Sequence, residues 1–120
     1  GKMSLQVVDY IFDSNVNSKT TYARENEYVT LQGVFAAYSG WSRTGHVNCD
    51  GASYLMFTEY ANKPDNRYTA FYDKDKNRIG NMTFDAVSDG FKVIVPENAV
   101  YFAFSSVNIS FNDFVITPYA

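Results

Sequence analysis

Short apolar runs alternate with turn-forming residues along the whole chain. Each run is followed by Gly, Asn, Asp or Pro, and this spacing is typical of a protein built from short strands. The pattern predicts ten candidate strands, at residues 4–12, 19–23, 28–37, 43–48, 53–60, 67–73, 82–87, 90–95, 99–106 and 109–117. We therefore expect an all-β fold in which roughly eight to ten antiparallel strands form a two-sheet β-sandwich.

The composition supports strands over helices. The chain has ten Tyr, ten Phe and one Trp, so that aromatic residues make up 18% of it. Leucine is scarce, whereas aromatic and β-branched residues pack well on a pleated surface. A length of 120 residues suits one domain, and no linker or repeat divides it. We expect residues 1–120 to form a single domain that is a fragment of a larger protein. The opening residues Gly1-Lys2-Met3 are interpreted either as a cloning remnant or as the cut edge of that protein.

Charge and cysteine content exclude several classes of protein. Ten Lys and Arg are scattered among thirteen Asp and Glu, for a net charge of −3, so we expect no nucleic acid partner. No apolar run approaches the length of a membrane span, so we expect no membrane insertion. The single cysteine, Cys49, has no partner for an internal disulfide and is interpreted as a small buried hydrophobe. The sequence indicates no cofactor.

Alternation predicts which residues form the core. Val100, Phe102 and Phe104 fall on one face of the strand at 99–106, and Phe91, Val93 and Val95 share a face of the strand at 90–95. In the last strand, residues Phe111, Phe114 and Ile116 all point inward only if the strand carries an irregularity. We expect a β-bulge near Asn112-Asp113.

Four segments carry a resemblance to a known family. They are residues 41–47 (WSRTGHV), 51–58 (GASYLMFT), 70–76 (AFYDKDK) and 91–105 (FKVIVPENAVYFAFS). Their order resembles a jelly-roll module of bacteriophage tail fibres, tailspikes and baseplate proteins and of some bacterial surface proteins. The resemblance covers roughly residues 41 to 106 and departs from the pattern at Ala103, where Arg is usual, and at Gly45-His46.

The resemblance implies a function in host recognition. Such modules are similar to carbohydrate-binding domains, so we expect non-catalytic binding of a bacterial surface glycan by a homotrimeric parent protein. The expected location is the virion, at the phage tail and therefore extracellular, or alternatively the bacterial cell surface. The rival hypothesis is a structural module, a trimer-forming cap or spacer without ligand, and a weaker rival is a polysaccharide-cleaving domain.

Two polar-aromatic clusters supply the candidate carbohydrate-binding residues. In residues 38–50, Trp41 either stacks on a sugar from a loop tip or plugs one end of the sandwich, and Arg43 either grips an acidic glycan or is a solvated strand residue. His46 and Asp50 are candidate partners for sugar hydroxyls. The second cluster is residues 59–68, where the candidates are Tyr60, Asn62, Arg67 and Tyr68. The alternative interpretation of this segment is a plain polar turn.

Catalytic and metal sites are weakly indicated. No spacing requires two carboxylates to meet, and a single His beside Cys49 is poorly placed to activate it, so we expect no enzyme activity. The stretch Asp73–Asn77 begins like a calcium loop, but Arg78 and Phe84 occupy positions that need Gly and Glu. We interpret it as a hairpin turn in which Asn77 or Gly80 has a positive φ angle, followed by a strand near Arg78.

Overall fold

Strands account for most of the described chain. The computed structural model describes residues 1–3, 6–7, 23–60, 62–111 and 114–120. The strands are Gln6–Val7 (β1), Ala23–Val29 (β2), Phe35–Thr44 (β3), Val47–Asn48 (β4), Tyr54–Thr58 (β5), Thr69–Tyr72 (β6), Arg78–Gly80 (β7), Asp85–Val87 (β8), Gly90–Ile94 (β9), Tyr101–Val107 (β10) and Val115–Tyr119 (β11). A 3₁₀ turn spans Asn66–Tyr68 (η1), and a helical turn spans Asn108–Phe111 (α1).

These strands form two antiparallel sheets. The larger has the order β1-β4-β10-β3-β2, and β6 also pairs with β10 and carries β7. Because β4 and β6 both pair with Tyr101 and Phe102, they lie on opposite sides of β10. The smaller sheet has the order β11-β5-β9-β8. The prediction of an all-β, two-sheet antiparallel sandwich is confirmed. No helix within the described ranges has the length and apolarity needed to span a membrane.

The main core contains the phenylalanines that alternation placed inward. Phe102 and Phe104 of β10 are fully buried, as are Phe71 of β6 and Phe57 of β5. The ring of Phe104 lies 5.1 Å from that of Phe57 and 4.8 Å from that of Phe114, in edge-to-face geometry. Phenylalanines from both sheets thus meet between the layers, and this burial drives the association of the two sheets.

A second, smaller core covers the outer face of the larger sheet. The hairpin of β2 and β3 folds back over it, so that Val29 packs with Ala70, Tyr72 and Ala103. The Tyr72 hydroxyl donates to the Gly33 carbonyl at 2.7 Å. Both faces of β10 are therefore buried at Ala103, which is fully inaccessible and directly opposite Ala70. An arginine side chain therefore has no space at this position.

Several predicted strands are wrong in part: 43–48 is divided between the end of β3 and β4, and 82–87 is a strand only from Asp85. The segment 28–37 is not one strand, because the chain turns at residues 30–34, where the Gly33 amide donates to the Thr30 carbonyl and Gly33 has a φ of 76°. The predicted strand 109–117 begins instead with the helical turn α1. This turn places Phe111 against Phe104, with ring centroids 6.0 Å apart. Phe111, Phe114 and Ile116 are all buried as predicted, and the bulge expected at Asn112-Asp113 lies outside the described residues.

The remaining predictions differ in detail. Strands near Arg78 and over residues 90–94 are confirmed. In the turn after β6, the residue with positive φ is Lys76, at 63°, and neither Asn77 nor Gly80 has one. Most of the predicted strands 4–12 and 19–23 lies outside the described residues.

Candidate functional site

A wide bulge interrupts the pairing of β2 with β3. Glu25 pairs with Ser42 and Glu27 pairs with Ala37, so that one residue of β2, Asn26, faces four residues of β3, 38 to 41. Both strands bend here through left-handed backbone, with φ of 61° at Asn26 and 86° at Gly40. The Gly40 amide donates to Asn26 Oδ1 at 3.3 Å. The bulge releases residues 38 to 41 from the β2 ladder, and bulges commonly redirect side chains in this way.

Four aromatic rings gather at this bulge. Tyr38 and Trp41 stack with an interplanar angle of 7° and centroids 5.4 Å apart. Tyr28 of β2 lies 4.6 Å from Tyr38, and Tyr68 of η1 lies 4.6 Å from Trp41, both in edge-to-face contact. We call Tyr28, Tyr38, Trp41 and Tyr68 the aromatic platform.

The exposure of the platform is uneven. Tyr38 is the most exposed of the four, at 44%, and Tyr28, Trp41 and Tyr68 are half-buried. Trp41 lies within strand β3, where it pairs with Val107 of β10, so the expectation of a Trp41 ring at a loop tip is wrong. Trp41 supports the neighbouring rings while keeping part of its own surface in solvent.

Arg67 and Asp65 form the rim of the platform. The Arg67 guanidinium lies 5.3 Å from the Tyr68 ring centroid, and its Nη2 donates to Asp65 Oδ2 at 2.8 Å. Asp65 also accepts a hydrogen bond from the Arg67 backbone amide, at 3.0 Å, as the cap of η1. Hydrogen bonds from Arg67 lower the pKa of the Asp65 carboxyl. The Arg67 side chain remains 65% exposed and is available to a ligand.

Buried hydrogen bonds attach Tyr68 to the larger sheet. The Ser105 hydroxyl of β10 donates to the Tyr68 carbonyl at 2.7 Å and accepts from the Val29 amide at 3.0 Å. The Thr69 hydroxyl donates to the Asn66 carbonyl at 2.8 Å. These bonds anchor the Tyr68 backbone to β10 beside the platform.

Arg43 does not join the platform. Its side chain is 8% exposed, and its Nε and Nη2 donate to Glu27 Oε1 at 3.0 and 2.9 Å. Its Cζ lies 3.7 Å from the centroid of the Phe35 ring. Burial lowers the pKa of Arg43, and the bond to Glu27 opposes that change. The expectation of a solvated Arg43 is wrong, because Glu27 of β2 and Phe35 at the start of β3 contact its guanidinium, and Glu27 already accepts its Nε and Nη2 hydrogens.

Two other candidates pack against aromatic neighbours. The His46 ring lies 4.9 Å from Phe35 and 4.7 Å from Tyr72, which places it beside the second core. The Tyr60 ring lies 5.1 Å from Phe91 at the edge of the main core. Neither contacts the platform in the ring pairs of the described residues, so the structure does not bring them together with Trp41.

Asp50 lines a depression that shares no lining residue with the platform. It shares an open, polar depression of about 590 Å³ with Asp73, Lys74, Asp75 and Asn98. The Asp73 carboxylate accepts from the backbone amides of Asp75 and Asn77, both at 2.9 Å, and these bonds lower its pKa. Within the described ranges, no group of His, Cys, Asp and Glu side chains has the geometry of a metal site. The turn at Asp73 is thus organised by its own amides.

The last candidate, Asn62, is exposed on the connection between β5 and η1. Cys49 is buried, and desolvation raises its pKa to about 12, as expected for a structural thiol.

Sequence reasoning found Trp41, Arg67 and Tyr68 but missed Tyr28 and Tyr38. Tyr38 opened the first polar-aromatic cluster, yet only the register shift shows that it stacks on Trp41. Tyr28 was assigned to a continuous strand over 28–37, which hid the turn that brings it beside Tyr38. A signal was present in Gly33, because a glycine within a predicted strand marks a turn or a bulge.

Comparison with protein-family models finds no match, and neither curated proteins nor solved structures match this chain significantly. The resemblance to phage jelly-roll modules therefore stays a prediction. The case for function depends on the geometry of the described residues.

Proposed function

We propose that this domain is a non-catalytic carbohydrate-binding module and that the aromatic platform receives the sugar. The observation that carries the proposal is the bulge in β3, which leaves Tyr38 and Trp41 stacked and partly exposed beside Tyr68. Sugar rings present flat C–H faces that pack on aromatic side chains. A rigid platform of this kind loses little conformational entropy when it binds.

The rim supplies hydrogen bonds to hydroxyl groups. Arg67 donates and Asp65 accepts, and the Arg67 guanidinium lies 5.3 Å from the centroid of the Tyr68 ring. An adjacent donor and acceptor match a sugar hydroxyl, which both donates and accepts. Aromatic packing combined with a few placed polar groups is the usual chemistry of a small-molecule site.

The proposed biological setting is attachment to a bacterial surface polysaccharide. The resemblance supports a role in a phage tail fibre, tailspike or baseplate protein, or in a bacterial surface protein. An open platform with one face suggests a dissociation constant of about 1 mM, or about −4 kcal/mol. Three copies on a trimeric parent raise the overall affinity by multivalency.

A binding titration against bacterial surface polysaccharides tests the proposal. Tyr38→Ala and Trp41→Ala are each expected to weaken binding at least about tenfold, since each removes a stacking surface. Tyr54→Ala is the matched control, because Tyr54 also stacks on a tyrosine, Tyr119, at 4.9 Å, but on the smaller sheet. If Tyr54→Ala weakens binding as much as Tyr38→Ala, the site assignment is wrong.

A trimer-forming structural role is the second candidate. Leu31 and Val34 at the tip of the β2–β3 hairpin are 52% and 61% exposed, and exposed apolar residues of this kind suit a subunit contact. Light scattering separates the candidates. A stable trimer that dissociates on Leu31→Asp favours the structural role, whereas a monomer that binds glycan through Tyr38 favours the first proposal.

A further inference from the structure

We infer that the aromatic platform selects uncharged glycans over uronic or sulfated ones. This inference rests on the proposed function and specifies the class of ligand. It follows from how the arginines near the platform are paired, because an acidic sugar needs a cation that is free to bind it.

Arg43 contributes no free positive charge. Its guanidinium is covered by the β2–β3 hairpin and bonded to Glu27 at 2.9 and 3.0 Å, and Nη1 donates to the Thr44 carbonyl at 3.1 Å. The guanidinium donors that would bind a carboxylate or sulfate of the ligand are therefore already bonded within the protein. An acidic glycan reaches it only after the hairpin opens.

Arg67 is exposed but already neutralised. Its Nε and Nη2 donate to the Asp65 carboxylate at 3.1 and 2.8 Å. Asp65 is two residues away and is also fixed by the backbone amide of Arg67, so its local concentration at the guanidinium is very high. A ligand carboxylate would have to displace the Asp65 carboxylate, an equivalent group only two residues away, so the exchange brings no net gain.

An uncharged hydroxyl meets no such competition. The bonds to Asp65 use Nε and Nη2 of Arg67, and a guanidinium has five N–H donors. The hydrogens of Nη1 therefore remain for a sugar hydroxyl, and the carboxylate has further lone pairs for a second one. The Arg67–Asp65 ion pair therefore stays intact when it hydrogen-bonds to a neutral sugar. The net charge of −3 also disfavours a polyanion.

Arg24 is a cation that can contradict this inference. Arg24 is exposed on β2. Its partner in the strand register is Arg43 of β3, which is two residues from Trp41. A polyanion that binds beside the platform would use Arg24. The test therefore includes an Arg24→Ala variant.

The experiment measures binding of matched polymers by affinity electrophoresis and calorimetry. The probes are neutral polymers of glucose, galactose and mannose and, for each, a carboxylated counterpart: carboxymethyl-dextran, polygalacturonate and polymannuronate. We expect wild-type protein to bind at least one neutral polymer about tenfold more tightly than its counterpart. This binding is expected to fall at least about tenfold in Tyr38→Ala and to change less than about twofold between 50 and 500 mM salt.

Asp65→Asn is the informative variant. It keeps a side-chain oxygen for the Arg67 amide and removes the charge that neutralises the guanidinium. We expect it to gain about tenfold in affinity for the carboxylated polymer, and this gain to disappear in the Asp65→Asn, Arg67→Ala double variant.

Two results overturn the inference, and they are distinguishable. Suppose wild-type protein binds the carboxylated polymer more tightly, and this binding is lost in high salt or in the Arg24→Ala variant. The inferred preference for uncharged glycans is then wrong, while the proposal of glycan binding stands. If it binds none of these polymers and no bacterial surface polysaccharide, the proposed function fails together with the inference.

Discussion

Replacing Glu27 with alanine tests the view that the Arg43–Glu27 pair holds the β2–β3 hairpin on the larger sheet. The substitution leaves a guanidinium that is 8% exposed without its counter-charge. Two unit charges about 4 Å apart interact by about 4 kcal/mol at an effective dielectric constant of about 20. Because the Glu27 side chain is 30% exposed, water screens part of this, and we expect a loss of about 2 to 3 kcal/mol in unfolding free energy.

Urea unfolding followed by intrinsic fluorescence measures the loss. With a slope of about 1.5 kcal/mol per molar, the urea midpoint should fall by about 1.3 to 2 M. Glu27→Gln keeps an acceptor oxygen and should lose about 1 kcal/mol. Arg43→Met should lose less than Glu27→Ala, because it removes the charge rather than stranding it and its side chain still packs on Phe35.

A double-mutant cycle of Glu27→Ala with Arg43→Met isolates the pair. Arg67→Ala is the control, because it removes the exposed pair with Asp65, which we expect to contribute less than about 1 kcal/mol. A loss under about 0.5 kcal/mol for Glu27→Ala, or a coupling energy near zero, would show that the hairpin is held by its apolar contacts instead.

Three further predictions concern stability and reactivity. The Cys49 thiol, with its pKa raised to about 12 by burial, should not react with a thiol reagent at pH 8 until denaturant is added; rapid reaction of native protein would contradict its burial. The folded-state pKa of Asp73 is lowered by amides of its own turn, so its contribution to stability is present above the unfolded value of about 3.9 and is lost as pH falls through the folded value. Asp73→Asn should therefore make the unfolding free energy less dependent on pH below about pH 4. If the pH dependence in that range is the same in the variant, the hydrogen bonds to Asp73 do not stabilise the fold. A Cβ at Gly90 would lie 2.1 Å from the Phe57 carbonyl oxygen, so Gly90→Ala should cost about 3 kcal/mol in thermal or urea unfolding; Gly80→Ala, which meets open space, should be close to neutral, and equal effects would refute the clash.

Alternation predicted the main core well because it depends only on the period of a strand. Phe102 and Phe104 needed no knowledge of their partners to be assigned inward. The same reasoning failed at residues 28–37, where the apolar run continues through a turn. Burial of Val29 and half-burial of Phe35 come from opposite arms of a hairpin, and periodicity cannot distinguish these arms from one strand.

The residues of the candidate site were likewise predicted only in part. The sequence marked Trp41, Arg67 and Tyr68 as candidates but also selected Arg43 and Asp50. Arg43 turned out to be buried because a hairpin closes over it, and Asp50 lies beside the turn at Asp73. Both outcomes depend on contacts between residues distant in the chain.

By itself, the sequence determined the two-sheet class of the fold and the identity of the inward-facing phenylalanines, because strand period and side-chain polarity are local properties. Only the tertiary structure decided that Tyr28, Tyr38, Trp41 and Tyr68 form one platform. It also decided that Arg43 is buried against Glu27 while Arg67 stays exposed. Both depend on a register shift between two strands and on a hairpin folding over a sheet, and these are set by long-range packing that no local pattern records.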